Sequence, residues 1–370
     1  MVDKKDKPLF TPGPLTTSAP VKEAMLRDLG SRDGEFIDGV RDIREGLLKL
    51  AGVSQPEGWE AVLMQGSGTF AIESVISSVT PPEGKWLVII NGAYGERLLK
   101  IIERHGFAAE TIGCAENELP DIAAIKSTLE KGSFTHVALV HCETTSGIMN
   151  PVAEIGAVVK AAGCVYFVDS MSAFGGVRFD FSACEIDFLV SSANKCVQGV
   201  PGFGFALCRR TALEATEGCS RTLSLDLLGQ WRGLEGNGQF RFTPPTHTLL
   251  AFARALDELE IEGGISARAT RYQKNHEACV TGMRAMGFTE YVPKDLQGHI
   301  ITSFVYPTEG FDFNEFYDRL NDKGFVIYPG KVTKANCFRI GHIGHLFTED
   351  TEMLLAAVRE VVGEMGLSLA

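Results

Sequence analysis

The sequence predicts an α/β fold, with a large, mostly parallel sheet domain followed by a smaller α+β C-terminal domain. Three observations support this. From about residue 59 to 208, short apolar runs alternate with helical patterns. After about residue 255 the alternation stops, and two helical segments flank a break at Gly263-Gly264. A chain of 370 residues is also too long for one ordinary core.

The apolar runs cover residues 61–64, 86–90, 137–140, 165–168, 188–190 and 203–207. Such short, continuous runs suit strands buried on both faces, as in parallel sheets covered by helices. One intervening helix is legible over 70–79. There Ile72, Val75, Ile76 and Val79 keep the i, i+3, i+4, i+7 spacing of a buried face. Farther on, helices are predicted over 247–260, 265–286 and 313–320, and strands over 300–306, 324–328 and 337–340. Thr348 is a good N-cap for a last helix reaching about Gly363, with Glu349 and Asp350 in its first turn. Phe10-Thr11-Pro12-Gly13-Pro14 is turn-rich and extended, and is expected to stay outside the large sheet. The chain thus divides into an N-terminal segment (1–20) near the active site or the small domain, a large domain (21–255) and a small domain (256–370).

Hydrophobic residues at 45% and charged residues at 22% are the proportions of a soluble globular protein. A net charge of −12 argues against a nucleic-acid partner, which needs a basic surface, yet leaves room for a local anion pocket. The nine cysteines are scattered, with no Cys-x-x-Cys pair, and read as reduced thiols. Met1-Val2-Asp3-Lys4-Lys5-Asp6-Lys7 lacks the apolar stretch of a secretory signal. No apolar run nears the roughly 20 residues needed to span a bilayer. A cytoplasmic enzyme without membrane contact is the expectation.

Three elements carry chemistry. In Ile186-Asp187-Phe188-Leu189-Val190-Ser191-Ser192-Ala193-Asn194-Lys195, a buried strand runs into small polar residues and then a lysine. A desolvated lysine loses proton affinity and can condense with a carbonyl; the plain alternative is a solvated lysine ending a strand. In Val165-Tyr166-Phe167-Val168-Asp169, an acid ends another strand. It could pair with a protonated ring nitrogen, or serve only as a loop or capping aspartate. Gln65-Gly66-Ser67-Gly68-Thr69 stands between a strand and a helix. Its backbone can close on an anion at a helix N-terminus, or simply cap that helix. It lacks the Gly-Lys-Ser/Thr ending of a nucleotide loop, which disfavours a nucleotide. In this order the three describe a phosphate cup, a ring acid and a Schiff-base lysine, all at strand carboxyl ends where ligands of open α/β sheets bind.

Further segments add to them: Phe10-Thr11-Pro12-Gly13-Pro14-Leu15-Thr16-Thr17, Asn91-Gly92-Ala93-Tyr94-Gly95, His141-Cys142-Glu143-Thr144-Thr145, Leu223-Ser224-Leu225-Asp226-Leu227, Arg241-Phe242-Thr243 and Phe325-Val326-Ile327-Tyr328-Pro329-Gly330-Lys331. With these the chain resembles, nearly end to end, the fold-type I, class V aminotransferases. Within them it looks most like the 2-aminoethylphosphonate–pyruvate aminotransferase family. The resemblance implies pyridoxal 5'-phosphate as cofactor, 2-aminoethylphosphonate and pyruvate as substrates, and a homodimer. It implies Lys195 and Asp169 as catalytic residues, and Ser67, Gly68, Thr69 and Asn194 around the phosphate. It places Tyr94 against the cofactor ring, Thr144 near the ring hydroxyl, and Thr243 at the phosphate from the second subunit.

Arg339, in Cys337-Phe338-Arg339-Ile340-Gly341, is costly inside an apolar strand unless paired. It is expected to face a cleft as the receptor for phosphonate and carboxylate, or else to meet a nearby acid. His342 stands where the family is associated with Asn. His342 and His345 alone make a poor metal site, and no metal is expected. The rival readings are another class V enzyme such as a serine– or alanine–glyoxylate aminotransferase, a cysteine desulfurase, for which Cys337 in a strand is ill placed, and a non-catalytic phosphate-binding module.

Overall fold

The computed structural model describes residues 6–330 and 332–367. Residues 1–5 and Lys331, both part of segments read above, lie outside the described residues.

The strands, in chain order, are β1 Trp59–Gly66, β2 Lys85–Ile90, β3 Ala108–Gly113, β4 His136–Val140, β5 Cys142–Glu143, β6 Ile148–Met149, β7 Val165–Asp169, β8 Phe188–Ser192, β9 Gly202–Arg209, β10 Ile301–Val305, β11 Tyr328–Pro329 and β12 Cys337–Gly341. Seven of them form the main sheet, in the order β1-β9-β8-β7-β4-β2-β3. Only β9 runs against its neighbours. The other six share one direction, so the predicted mostly parallel sheet is present. Val140 pairs with Asp169, and Asp169 with Val190, so β4 and β7 end level and β8 runs two residues farther on the same side. Chain emerging from these three ends is therefore delivered to one rim of the sheet.

The apolar runs became strands because burial on both faces removes the need for alternation. All residues of β4 and β8 are buried. Edge strand β3 was not foreseen; most of its side chains are exposed, so it carries no apolar run. Helix Gly68–Val79 starts two residues before the expected position and buries Ile72, Val75, Ile76 and Val79 as predicted.

A second hydrophobic cluster gathers around Phe338 and Phe316, with helices Gly264–Ala285, Phe313–Asp322 and Thr348–Glu364. Its sheet is antiparallel, in the order β10-β12-β11. The break between the long helices Thr246–Glu262 and Gly264–Ala285 uses Gly263 and Gly264 at φ +106° and +73°, which a β-carbon would oppose.

Two expectations are corrected here. Of the predicted strand 324–328 only Tyr328 pairs with β12, together with Pro329 just beyond it. Val326 instead spends its hydrogen bonds on the N-terminal segment. Phe10 N donates to Val326 O at 2.8 Å, and Val326 N donates to Pro8 O at 3.2 Å. Thr348 is not the N-cap but the first helical residue. Phe347 takes the cap, because its N–H finds the Asp350 carboxylate at 2.8 Å.

The N-terminal segment stays out of the large sheet. Phe10 is buried in the second cluster, and Gly341 N donates to Phe10 O at 2.9 Å. Beyond Phe10 the segment passes over the rim of the main sheet as a strap.

Candidate active site

Ser67, Gly68, Thr69, Tyr94, Asp169, Asn194 and Lys195 line one cleft of about 180 Å³ at that rim. Thr144, Arg339 and Thr243 do not line it.

The glycine turn ends β1 with Gly66 at φ +105° and opens helix Gly68–Val79. Ser67 is the N-cap residue, yet its hydroxyl makes no capping bond, so hydroxyl and helix N–H groups alike remain for an anion. A β-carbon on Gly68 would run into the Met171 thioether and come within 3.3 Å of Ser192. Glycine there leaves the backbone open to the cleft.

Asp169 ends β7 and is 1% exposed. Its Oδ1 accepts the Met171 N–H at 3.0 Å and its Oδ2 accepts from Arg97 at 3.4 Å. Burial raises its pKa, and the Arg97 charge opposes that shift.

Lys195 follows β8 in a turn. Its Nζ donates to Pro12 O at 2.8 Å. Burial lowers its pKa to about 8, with the charges of Arg97 and Arg339 acting in the same sense. A useful fraction of the amine is therefore neutral near pH 7–8, as a nucleophile or base requires.

Tyr94 lies in the first turn of helix Ala93–Arg104. The Arg97 guanidinium sits 4.7 Å over its ring, and its hydroxyl meets Arg339. Thr144 is buried in the turn between β5 and β6, and its carbonyl accepts from Arg339 Nη1 at 2.6 Å. Arg339 Nε donates to Pro329 O at 2.8 Å, and the guanidinium lies 4.9 Å over the Tyr328 ring. Among the described residues, no acid forms an ion pair with Arg339. Two carbonyls and the Tyr94 hydroxyl hold it. Thr243 is exposed, with its carbonyl near the Gln65 amide at 3.3 Å.

The sequence reading assigned no role to Arg97, Glu143 or the Pro12 carbonyl. Arg97 lies one helical turn after Tyr94, a spacing that puts both on one face and was available as a signal. Glu143 is fully buried. It accepts the Gly95 N–H at 2.7 Å and the Thr145 hydroxyl at 2.9 Å, tying the β5–β6 hairpin to the start of the Tyr94 helix. A carboxylate in an otherwise apolar and small polar run was its only sequence signal. The strap's approach to Lys195 is a long-range contact that no local pattern announces.

These groups fit a flat, phosphorylated pyridine aldehyde. They supply an amine of reduced proton affinity, a buried carboxylate, an aromatic face, and a helix N-terminus whose Gly68 would clash if it carried a β-carbon. Among the described residues, no group of three metal-ligating side chains is present, and His342 is bonded to the Thr302 hydroxyl at 2.8 Å.

Comparison with known proteins agrees with this chemistry. The family model described as aminotransferase class-V matches residues 19–341. The 2-aminoethylphosphonate–pyruvate transaminase of Syntrophobacter fumaroxidans is 49% identical over 361 residues, covering 97% of each chain. That of Salmonella typhimurium is 50% identical over 355 residues, covering 95% of this chain and 96% of its own. Among solved structures, the ureidoglycine–glyoxylate aminotransferase of Bacillus subtilis superposes with a TM-score of 0.91 at 23% identity, covering 100% of this chain and 96% of its own. The alanine–glyoxylate aminotransferase of a Nostoc species gives 0.89 at 25% identity, covering 98% and 96%. The architecture is thus that of the fold-type I pyridoxal-phosphate aminotransferases, and the chain belongs to the class-V aminotransferase family.

Proposed function

We propose that this enzyme transfers the amino group of 2-aminoethylphosphonate to pyruvate, giving phosphonoacetaldehyde and L-alanine, with pyridoxal 5'-phosphate as cofactor. The observation that carries the reading is the meeting of Lys195, Asp169 and the turn 66–69 around one cleft. Identity near 50% with transaminases of that name supports the choice of donor and acceptor.

Lys195 would hold the cofactor through Nζ and Asp169 would pair with its ring nitrogen. Tyr94 would lie against its face, and Thr144 near its hydroxyl. Ser67, Gly68, Thr69 and Asn194 would take its phosphate, together with Thr243 of the partner subunit. When bound, the cofactor supplies a ring that takes up the electron pair released as a substrate C–H bond breaks.

The remaining work falls to the protein. Once the donor's amine has taken its place, Nζ of Lys195, beside the Pro12 carbonyl, would remove the proton from the carbon bearing the donor's amino group and deliver it to the cofactor carbon that carried the aldehyde. The same nitrogen serves in reverse when pyruvate becomes alanine. Arg339 orients the phosphonate and then the carboxylate. Two of its donors are already engaged by the Pro329 and Thr144 carbonyls, so its fork is fixed before an anion arrives.

The exposed Thr243 and the nine free thiols accord with a homodimer working in the cytoplasm. No described helix is long and apolar enough to cross a membrane. A coupled assay of alanine formation from 2-aminoethylphosphonate and pyruvate tests the reaction. Activity with serine or with glyoxylate, and none with the phosphonate, would move the assignment to a glyoxylate-type relative.

A further inference from the structure

The cofactor phosphate is a dianion, and the residues assigned to it so far from this chain, Ser67, Gly68, Thr69 and Asn194, are all neutral. Among the described residues the cleft wall holds two cations, Lys195 and Arg97. The first is the covalent anchor. The second lies between the glycine turn and the ring acid. Its Nη1 is 3.3 Å from Thr69 Oγ1 and its Nη2 is 3.4 Å from Asp169 Oδ2. Both contacts are long beside the roughly 2.7–2.9 Å of a strong charge-assisted bond. Its Nε is buried and has no hydrogen-bond partner. A half-buried guanidinium with one idle donor and two slack ones has capacity left for an anion.

On the cofactor reading above, we propose that Arg97 is the cation that neutralises the cofactor phosphate, forming the charged wall of a cup whose floor is the helix N-terminus at 66–69. The placement of Arg97 follows from its helix. Tyr94 and Arg97 share one face, and the guanidinium rests on the Tyr94 ring, which fixes its height in the cleft. One arm then reaches the phosphate side at Thr69 while the other steadies Asp169.

The test compares pyridoxal phosphate with pyridoxal, which lacks the phosphate. Equilibrium dissociation constants are measured on cofactor-free wild-type protein and on the Arg97→Met, Arg97→Gln and Arg97→Lys variants, by absorbance or fluorescence titration. Arg97→Met should weaken pyridoxal phosphate about 10- to 100-fold, the range of one charged hydrogen-bond partner, and change pyridoxal by less than about threefold. Arg97→Gln, which keeps hydrogen bonding without the charge, gives the same reading if the Met variant does not fold. Arg97→Lys should recover part of the loss. Unchanged affinity for pyridoxal phosphate overturns the proposal. So does an equal loss for both ligands, which would mean that Arg97 acts through Asp169 alone. Wild-type protein that binds neither would instead overturn the cofactor reading itself.

Discussion

Lys195 Nζ and the carbonyl of Pro12 stand 2.8 Å apart although 183 positions separate them in the chain. The strap that brings Pro12 there is anchored at Phe10 in the second hydrophobic cluster, while Lys195 follows a strand of the main sheet. The Lys195 amine therefore sits where the two halves of the molecule meet.

Covalent capture of pyridoxal phosphate needs this amine neutral, and burial lowers its pKa from 10.5 to about 8. Below that value the neutral fraction falls about tenfold per pH unit. The second-order rate of capture by cofactor-free protein, followed by stopped-flow absorbance, should rise with pH and level off above about 8. A rise continuing towards pH 10 would show that burial does not act on this amine. Lys195→Ala should abolish capture and reduce transamination by about 10⁴-fold or more.

Gly13 makes the strap's approach possible. Its φ is +113°, and a β-carbon would lie 2.7 Å from Lys195 Cδ and 2.8 Å from Nζ. Gly13→Ala must therefore strain the backbone and push strap and lysine apart. A loss of about 1–3 kcal/mol in stability is expected by denaturant titration, together with a lower kcat. Wild-type values for both would show that the strap is free to shift.

Much of this site was legible because its chemistry is carried by short segments at strand ends. A buried strand that stops at Asp169, or runs into Asn194-Lys195, announces itself through the change from apolar to polar residues. Edge strand β3 was not legible, since its side chains are exposed or only half-buried and leave no apolar run. Nor was the fate of 324–328, because Val326 pairs with Pro8 and Phe10 from the far end of the chain. For Arg339 the sequence offered a cleft-borne anion or a nearby acid as partner. Its partners proved to be the carbonyls of Pro329 and Thr144 rather than an acid, and no sequence pattern encodes a main-chain partner.

Glu143 gives a prediction in stability. Burial raises its carboxyl pKa from 4.5 to about 7, against the opposing pull of the Gly95 N–H and the Thr145 hydroxyl. A pKa raised on folding means that the folded state binds more protons between those values. The favourable contribution is thus complete below about pH 4.5 and lost as pH rises through 7. The linked free energy is on the order of 3 kcal/mol. Glu143→Gln keeps an acceptor for Gly95 and cannot ionise. It should melt close to wild type at pH 5 and several degrees higher at pH 8. Parallel melting curves across that range would show that Glu143 does not titrate in the folded protein.

Arg339 separates a shared anion receptor from two distinct ones. Phosphonate and carboxylate visit in turn, and the guanidinium is braced by Pro329 O, Thr144 O and the Tyr94 hydroxyl. Arg339→Lys keeps the charge but loses the planar fork that suits both anions. KM for 2-aminoethylphosphonate and for pyruvate should then rise together, by about 10- to 100-fold, as one charged hydrogen-bonding partner is lost. Arg339→Ala should also destabilise the fold, because the buried Thr144 carbonyl loses its donor at about 1–3 kcal/mol. Steady-state kinetics with each substrate varied in turn decides the matter. If KM rises for one substrate and stays fixed for the other, the second anion is held by a different cation, and Arg97, already in the cleft wall, would be the next residue to replace.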